Sequence, residues 1–131
     1  KMRLSISKHI YAALSGSADI QKAIGKNKIF PIATKNEVEF PFIVYERENV
    51  DTRYDKAGAS TTNIDESIYI LAEGYTESLE IAEMVIAALD RKKASYKGFE
   101  VIDATLNDVP ETYVSQTYVQ QVRMRFTIKE N

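Results

Sequence analysis

The sequence predicts an α+β fold with a four-stranded, mostly antiparallel sheet, one long helix on one face and short N-terminal helices. Three observations predict it. Residues 67–90 read as a strand, a corner at Gly74 and an amphipathic helix. Residues 118–128 alternate apolar and polar side chains, which is the period of a half-buried strand. Patterns typical of short helices precede both segments.

Length and composition restrict the class of protein. The chain has 131 residues, so we expect one domain covering 1–131. It contains no cysteine, which excludes disulfides and thiolate metal sites. Its formal net charge of −2 gives no reason to expect direct nucleic-acid binding. No apolar run approaches the roughly 18 residues of a membrane span, so we expect no membrane partner.

The N-terminal third predicts helices followed by extended segments. Apolar residues from Leu4 to Leu14 fit a first helix, and Ala18 to Ile24 fit a second, which Gly25 ends. Residues 29–32 form an edge strand or no strand, because Pro31 lacks a backbone donor. Residues 42–48 are apolar at first and polar later, which indicates a strand leaving the core.

The strand and helix of residues 67–90, which we call the central unit, follow a polar stretch. Residues 49–63 are small and polar, and they predict a long loop or the tip of an extended hairpin. In the unit itself, Ile68 and Ile70 share one strand face, and Thr76 is the predicted N-cap of the helix. Residues 99–107 predict a third strand. A turn at 108–111 then leads into the alternating last strand.

No residue pattern predicts catalysis, a cofactor or a metal. His9 is the single histidine, and its position on a helix beside Lys8 predicts a surface residue. Glu77, Glu80 and Glu83 lie along one helix face, where a solvated surface is the expected role. The five glycines are scattered and form no phosphate-binding loop.

Two surfaces are candidates for assembly with other proteins. One is the polar 49–63 segment, whose candidate contacts are Arg53, Tyr54, Asp55 and Lys56. A lone tyrosine in such a segment is either incidental or, where the segment becomes ordered on assembly, an anchor, and the length of the segment favours the anchor. The other is the outward face of the last strand, which carries Arg123 and Arg125. That face either recognises an acidic partner or is an ordinary polar surface, and the sequence leaves both open.

The segment IGKNKIFPIATKNEVEFPFIVYE combines an aromatic–proline piece, a variable turn and a second proline–aromatic strand. The segment SIYILAEGYTESLEIAEMVIAAL combines a strand, an aromatic corner and a helix. With the first helix and the alternating last strand, these segments resemble the siphophage tail terminator, or tail-completion, family of the lambda type over nearly the whole chain. The resemblance is a pattern of spacing and residue class, without a catalytic signature.

The resemblance implies a structural protein of a phage or prophage that is not an enzyme. Such subunits assemble as a hexameric ring on the finished tail tube, stop its polymerisation and offer the head connector a docking surface. The implied partners are other copies of the chain, the tail tube protein and the head-completion or connector protein. The implied location is the head–tail junction of the virion, after assembly in the host cytoplasm.

Two other functions remain open at this point. A different head–tail connector protein would also form rings. A ferredoxin-like domain that binds or transforms a small molecule would need an apolar pocket with convergent polar groups. The sequence indicates no such groups.

Overall fold

The computed structural model describes residues 3–34, 37–58 and 60–130. Three helices lie in this part of the chain: α1 (Ile6–Ser15), α2 (Ala18–Ile24) and α3 (Tyr75–Leu89). The strands are β1 (Ile29–Pro31), β2 (Phe42–Tyr54), β3 (Ser60–Ala72), β4 (Ala94–Tyr96), β5 (Phe99–Asp108), β6 (Glu111–Val114) and β7 (Thr117–Glu130).

The fold is α+β, but the prediction of a four-stranded sheet with one long helix is wrong. The described strands form one mixed, seven-stranded sheet in the order β1-β2-β3-β7-β5-β4, with β6 paired to the first part of β7. β1 runs parallel to β2, and the other pairs are antiparallel. The sequence missed β4 and β6 because strands of three and four residues are too short to show a period of two.

The helices also differ from the prediction. α3 has 15 residues and is accompanied by helices of ten and seven residues, so no single long helix covers the sheet. The N-cap of α3 is Gly74, in an extended conformation, and no side chain caps the helix there. Thr76 lies inside the first turn, so the predicted cap is wrong. The predicted end of α2 at Gly25 is confirmed, with a φ of +88°.

β2 and β3 form a long hairpin of two 13-residue strands. They pair from Phe42 opposite Leu71 to Tyr54 opposite Ser60, with a shift in register between Arg47 and Asn49. Of the two forms predicted for residues 49–63, the extended hairpin is therefore confirmed. β3 also pairs with β7 along its length, which supports the polar half of the hairpin.

The core lies between the helices and one face of the sheet, which we call the helix-side face. The largest buried side chains of β3 and β7 alternate onto this face, including Ile64, Ile68 and Phe126. They form one cluster with Leu14 of α1 and Leu89 of α3. We call the other side of the sheet the outward face, and it carries the polar residues of the alternating strands.

His9 lies inside this core, so the prediction of a surface position is wrong. Its side chain is 3% exposed and lies edge-on to the rings of Tyr96 and Phe126. A 2.8 Å hydrogen bond joins its Nδ1 to the Tyr96 hydroxyl. Nε2 is buried without a partner in the described structure. Burial lowers the pKa of His9, because the charged imidazole loses its hydration.

Candidate assembly surfaces

The first predicted surface is the tip of the β2–β3 hairpin. Arg53 and Tyr54 end β2, and the Tyr54 residue is 67% exposed. The Asp55 carboxylate accepts from the Ala57 N–H at 2.8 Å, which shapes the turn. Lys56 is exposed in the same turn. The structure therefore gathers four of the predicted residues in one projecting element.

The hairpin tip is attached to the body of the protein. Arg3 bonds to the Tyr54 side chain and also contacts the Glu130 carboxylate, with an Nη2–Oε1 distance of 3.2 Å. Both contacts raise the pKa of Arg3. Arg53 makes an exposed ion pair with Asp51 at 3.1 Å. Arg3 thus links the Tyr54 side chain to the end of β7, while most of the Tyr54 residue stays exposed.

The second predicted surface is the outward face around Arg123 and Arg125, and it is not a free basic strip. Arg125 donates two bonds to the Asp65 carboxylate, at 2.9 and 3.1 Å. This hydrogen bonding lowers the pKa of Asp65 and raises that of Arg125. Arg123 contacts Asp108 at 3.4 Å. Each arginine therefore already has a carboxylate partner, and the surface is balanced in charge.

Further side-chain hydrogen bonds extend this face along the sheet. The Tyr69 hydroxyl donates to Glu46 at 2.8 Å, and Gln121 Nε2 donates to the Ser67 hydroxyl at 2.9 Å. Further along β7, the Thr127 hydroxyl donates to the Asn63 amide oxygen at 2.7 Å. A partner that docks here meets a polar surface whose side chains are fixed by each other, and shape complementarity decides the fit.

The two predicted surfaces lie on the same half of the sheet. Arg53 pairs with Thr61, and Thr61 pairs with Lys129, which is four residues after Arg125 on β7. Four strand residues span about 13 Å. One partner is therefore able to contact the hairpin tip and the arginine face together, a proximity that the sequence did not show.

A buried carboxyl group is one feature that the sequence missed. Glu66 is 3% exposed on the helix-side face of β3 and pairs in register with Arg47 of β2. It lines a cavity of about 290 Å³ under Leu4 and Ile32. Burial raises its pKa to about 7, although the Arg47 guanidinium acts in the opposite direction. The sequence did contain a signal of this burial, because Glu66 alternates with Ile64, Ile68 and Ile70 on the same face of the strand.

The other missed feature is apolar exposure at two edges of the sheet. Beside β1, Ile32 is 73% exposed and has a φ of +66°, which is rare for a β-branched residue. Leu4 nearby is 51% exposed. On β6, Tyr113 and Val114 are 58% and 55% exposed. Exposed apolar groups of this kind mark surfaces for protein contact when they are clustered.

Two searches of the described residues concern other classes of site. No group of three or more histidine, aspartate or glutamate side chains there is placed to hold a metal ion. Within the same residues, no helix has the length and apolar character needed to cross a membrane.

Comparisons with known proteins concern the fold and the family of the chain. No curated protein sequence matches the chain. One solved structure that resembles it is a chain from the virion of a native gene transfer agent (GTA) particle, with a TM-score of 0.80 and 15% identity. That match covers 93% of this chain and 92% of the other. The sequence model described as "Tail completion protein gp17" matches residues 8–130. The chain therefore belongs to the gp17 family of tail completion proteins.

Proposed function

We propose that this protein forms a ring, about six copies in size, that caps the tail tube, stops its polymerisation and provides the surface for head–tail joining. The observation that carries the proposal is the family match over residues 8–130, which assigns a structural role in tail completion. The protein acts at the head–tail junction of the virion, after assembly in the host cytoplasm. Its partners are other copies of itself, the tail tube protein and the head connector.

The described surfaces support a binding role. Around Asp65 and Arg125, the outward face is a hydrogen-bonded surface in which each arginine is paired with a carboxylate. Such a surface docks a partner through shape and aligned polar groups. We infer that chemistry at a catalytic group has no part in this function, because capping a tube requires only complementary surfaces.

The hairpin tip is the proposed contact with the tail tube. Tyr54 is a large side chain at the tip that is 67% exposed and is held by a bond to Arg3. Aromatic anchors on a fixed element lose little conformational freedom on binding, and they often dominate the affinity of an interface. Arg53, Asp55 and Lys56 surround the ring as a polar rim.

Two measurements test the ring and the cap. Light scattering and negative-stain imaging of the concentrated protein, with and without purified tail tubes, are expected to show closed rings free or on tube ends. Tail tubes that polymerise without the protein are expected to grow beyond the length reached when it is present. Monomeric protein in both samples, together with unchanged tube length, contradicts the proposal.

A matched pair of tyrosine variants tests the tip. Tyr54→Ser is expected to weaken tube binding about tenfold, which is the effect of losing a moderate hot spot. Tyr11→Ser is the control, because Tyr11 is 46% exposed on α1 and its neighbour on the hairpin is Tyr45, nine residues from Tyr54 along β2. Cosedimentation with tubes measures both variants, and circular dichroism confirms that they are folded. Equal binding by the two variants shows that the tip is not the contact.

A further inference from the structure

Two edges of the sheet lie at the same level and on opposite sides. Ile29 of β1 pairs with Ile43, Ile43 pairs with Ile70, and Ile70 pairs with Gln120 of β7. Gln120 in turn pairs with Glu111 of β6. β1 and β6 are therefore the two ends of one five-strand row. Four strand spacings separate them, a distance of about 19 Å.

Both edge strands direct backbone groups away from the sheet. The Pro110 carbonyl accepts from the Gln121 N–H at 2.9 Å, so the antiparallel alternation directs the N–H and C=O of Tyr113 outward. On β1, the Lys28 carbonyl and the Ile32 N–H bond to β2, so the backbone groups of Ile29 face outward. Among the described strands, β6 pairs with β7 alone and β1 with β2 alone.

The directions of these strands fit each other. β1 runs parallel to β2, and two antiparallel steps give β7 the direction of β2. β6 is antiparallel to β7, so it runs opposite to β1. A second copy in the same orientation, placed beside the first, therefore brings β6 against β1 as an antiparallel pair. The two strands have four and three residues, so they match in length.

Side-chain contacts fix β6 to its own subunit. The Tyr75 hydroxyl donates to the Glu111 carboxylate at 3.0 Å, and Gln120 Nε2 donates to the same group at 3.0 Å. The Tyr113 ring packs on Tyr118 with 4.6 Å between centroids. Every residue of β6 is nevertheless exposed. The strand is thus fixed to its own subunit on one side and open on the other.

The edge at β1 offers space for an added strand. A groove of about 650 Å³ adjoins β1 and is lined by Lys28, Phe30 and Pro31 and by residues 37–39. The exposed Ile32 continues the apolar surface of this edge. An extended segment that carries Tyr113 and Val114 would cover these groups while adding main-chain hydrogen bonds.

We propose that β6 of one copy adds to the outer edge of β1 of the next copy, so that the sheet continues from subunit to subunit. The outward-facing backbone groups set the register: Tyr113 lies opposite Ile29, and Val114 lies opposite Lys28. Because the two surfaces differ, the contact is heterologous and repeats head to tail, which closes a ring or extends a chain. This contact rests on the ring of the proposed function and assigns the surfaces that build it.

An engineered cysteine pair tests the contact. The chain has no native cysteine, so K28C/V114C carries one thiol at each edge. The two edges of one subunit are too far apart for a disulfide, which needs Cα atoms within about 7 Å, so any bond joins two copies. The matched control is K97C/V114C, because Lys97 is exposed in the β4–β5 turn at another level of the sheet. Oxidation followed by non-reducing electrophoresis is expected to give a ladder of dimers, trimers and larger species for K28C/V114C alone.

The outcomes separate this contact from the ring. If the wild-type protein forms rings and K28C/V114C links no more than the control, the edge contact is wrong and the ring stands. If the pair gives the ladder while the wild-type protein gives open chains, the edge contact stands and the ring is wrong. If neither linking nor assembly occurs in the presence of tail tubes, both proposals are wrong.

A backbone variant gives a second test that does not depend on a disulfide. Tyr113→Pro removes the N–H that faces the neighbouring copy and leaves the pairing of β6 with β7, as proline does on an edge strand. Tyr113→Ala removes the ring alone and is the control. We expect Tyr113→Pro to reduce self-association at least tenfold more than Tyr113→Ala in sedimentation velocity, with both variants folded. Equal effects would assign the contact to the side chain and overturn strand addition.

Discussion

Replacing the buried carboxyl group of Glu66 gives the most quantitative prediction. Glu66 is 3% exposed and faces the core from the middle of β3. Burial raises its pKa, the nearby Glu46 and Glu48 add to this, and Arg47 opposes it. Glu66→Gln keeps the shape of the side chain and removes the titration. The folded state then no longer contains a carboxylate that loses its hydration above neutral pH.

The magnitude follows from the difference between the two pKa values. The pKa rises from 4.5 to about 7 in the folded protein, so the folded state binds more protons than the unfolded state between these values. The contribution of Glu66 to stability is therefore fully present below pH 4.5 and is lost as pH rises through 7. At about 1.36 kcal/mol per pH unit, the loss is on the order of 3 kcal/mol.

The assay is urea denaturation of wild type and Glu66→Gln from pH 5 to pH 8.5. The chain has eight tyrosines and no tryptophan, so tyrosine fluorescence and far-UV circular dichroism are the appropriate signals. We expect the variant to be more stable than wild type by about 1 kcal/mol at pH 5 and by about 3 kcal/mol at pH 8.5. Dilute protein is used, because self-association makes stability depend on concentration.

Subtracting the two curves cancels the titrating groups that do not interact with Glu66, including His9. Glu80→Gln is the matched control, since it makes the same change at an exposed position on α3. A difference for Glu66→Gln that stays flat with pH would refute the reasoning. It would mean that Glu66 is hydrated in solution and titrates as it does in the unfolded chain.

Two further predictions concern the core. The lowered pKa of His9 means that its contribution to stability is lost as pH falls below 6.5, so His9→Phe is expected to gain melting temperature relative to wild type as the pH falls from 7.5 to 5.5; a difference between the two proteins that does not change with pH would contradict this role of His9. Leu89 is fully buried at the end of α3, so Leu89→Asp is expected to abolish cooperative unfolding, while Leu79→Asp, at a position 37% exposed, remains folded in the same circular dichroism melt.

Much of the secondary structure follows from local patterns. The strand and helix of residues 67–90 were predicted because apolar residues recur there first with a strand period and then with a helix period. β7 was predicted for the same reason, and the burial of Val122, Met124 and Phe126 confirms its alternation. Pro31 has no backbone N–H, which predicted an edge position for β1, and the order of the strands confirms it. The type of each of these elements can therefore be predicted from a few neighbouring residues.

The candidate surfaces were predictable only in part. The polar composition of residues 49–63 singled out Arg53 and Tyr54, and the structure places both at an exposed hairpin tip. Arg123 and Arg125 were correctly placed on the outward face, but their carboxylate partners come from β5 and β3. Those partners are 15 and 60 residues away along the chain, a separation at which local patterns carry no information.

The sequence by itself determined the α+β class, the helices, the central strand–helix unit and the alternating last strand, because each depends on the spacing of apolar side chains along a short segment. Only the tertiary structure decided the number and order of strands, the burial of His9 and Glu66, and the alignment of the β1 and β6 edges. These features depend on which distant segments share hydrogen bonds. Glu66 has the same alternating place as a buried isoleucine, and the covering of its face by α1 and the β1 segment is what raises its pKa.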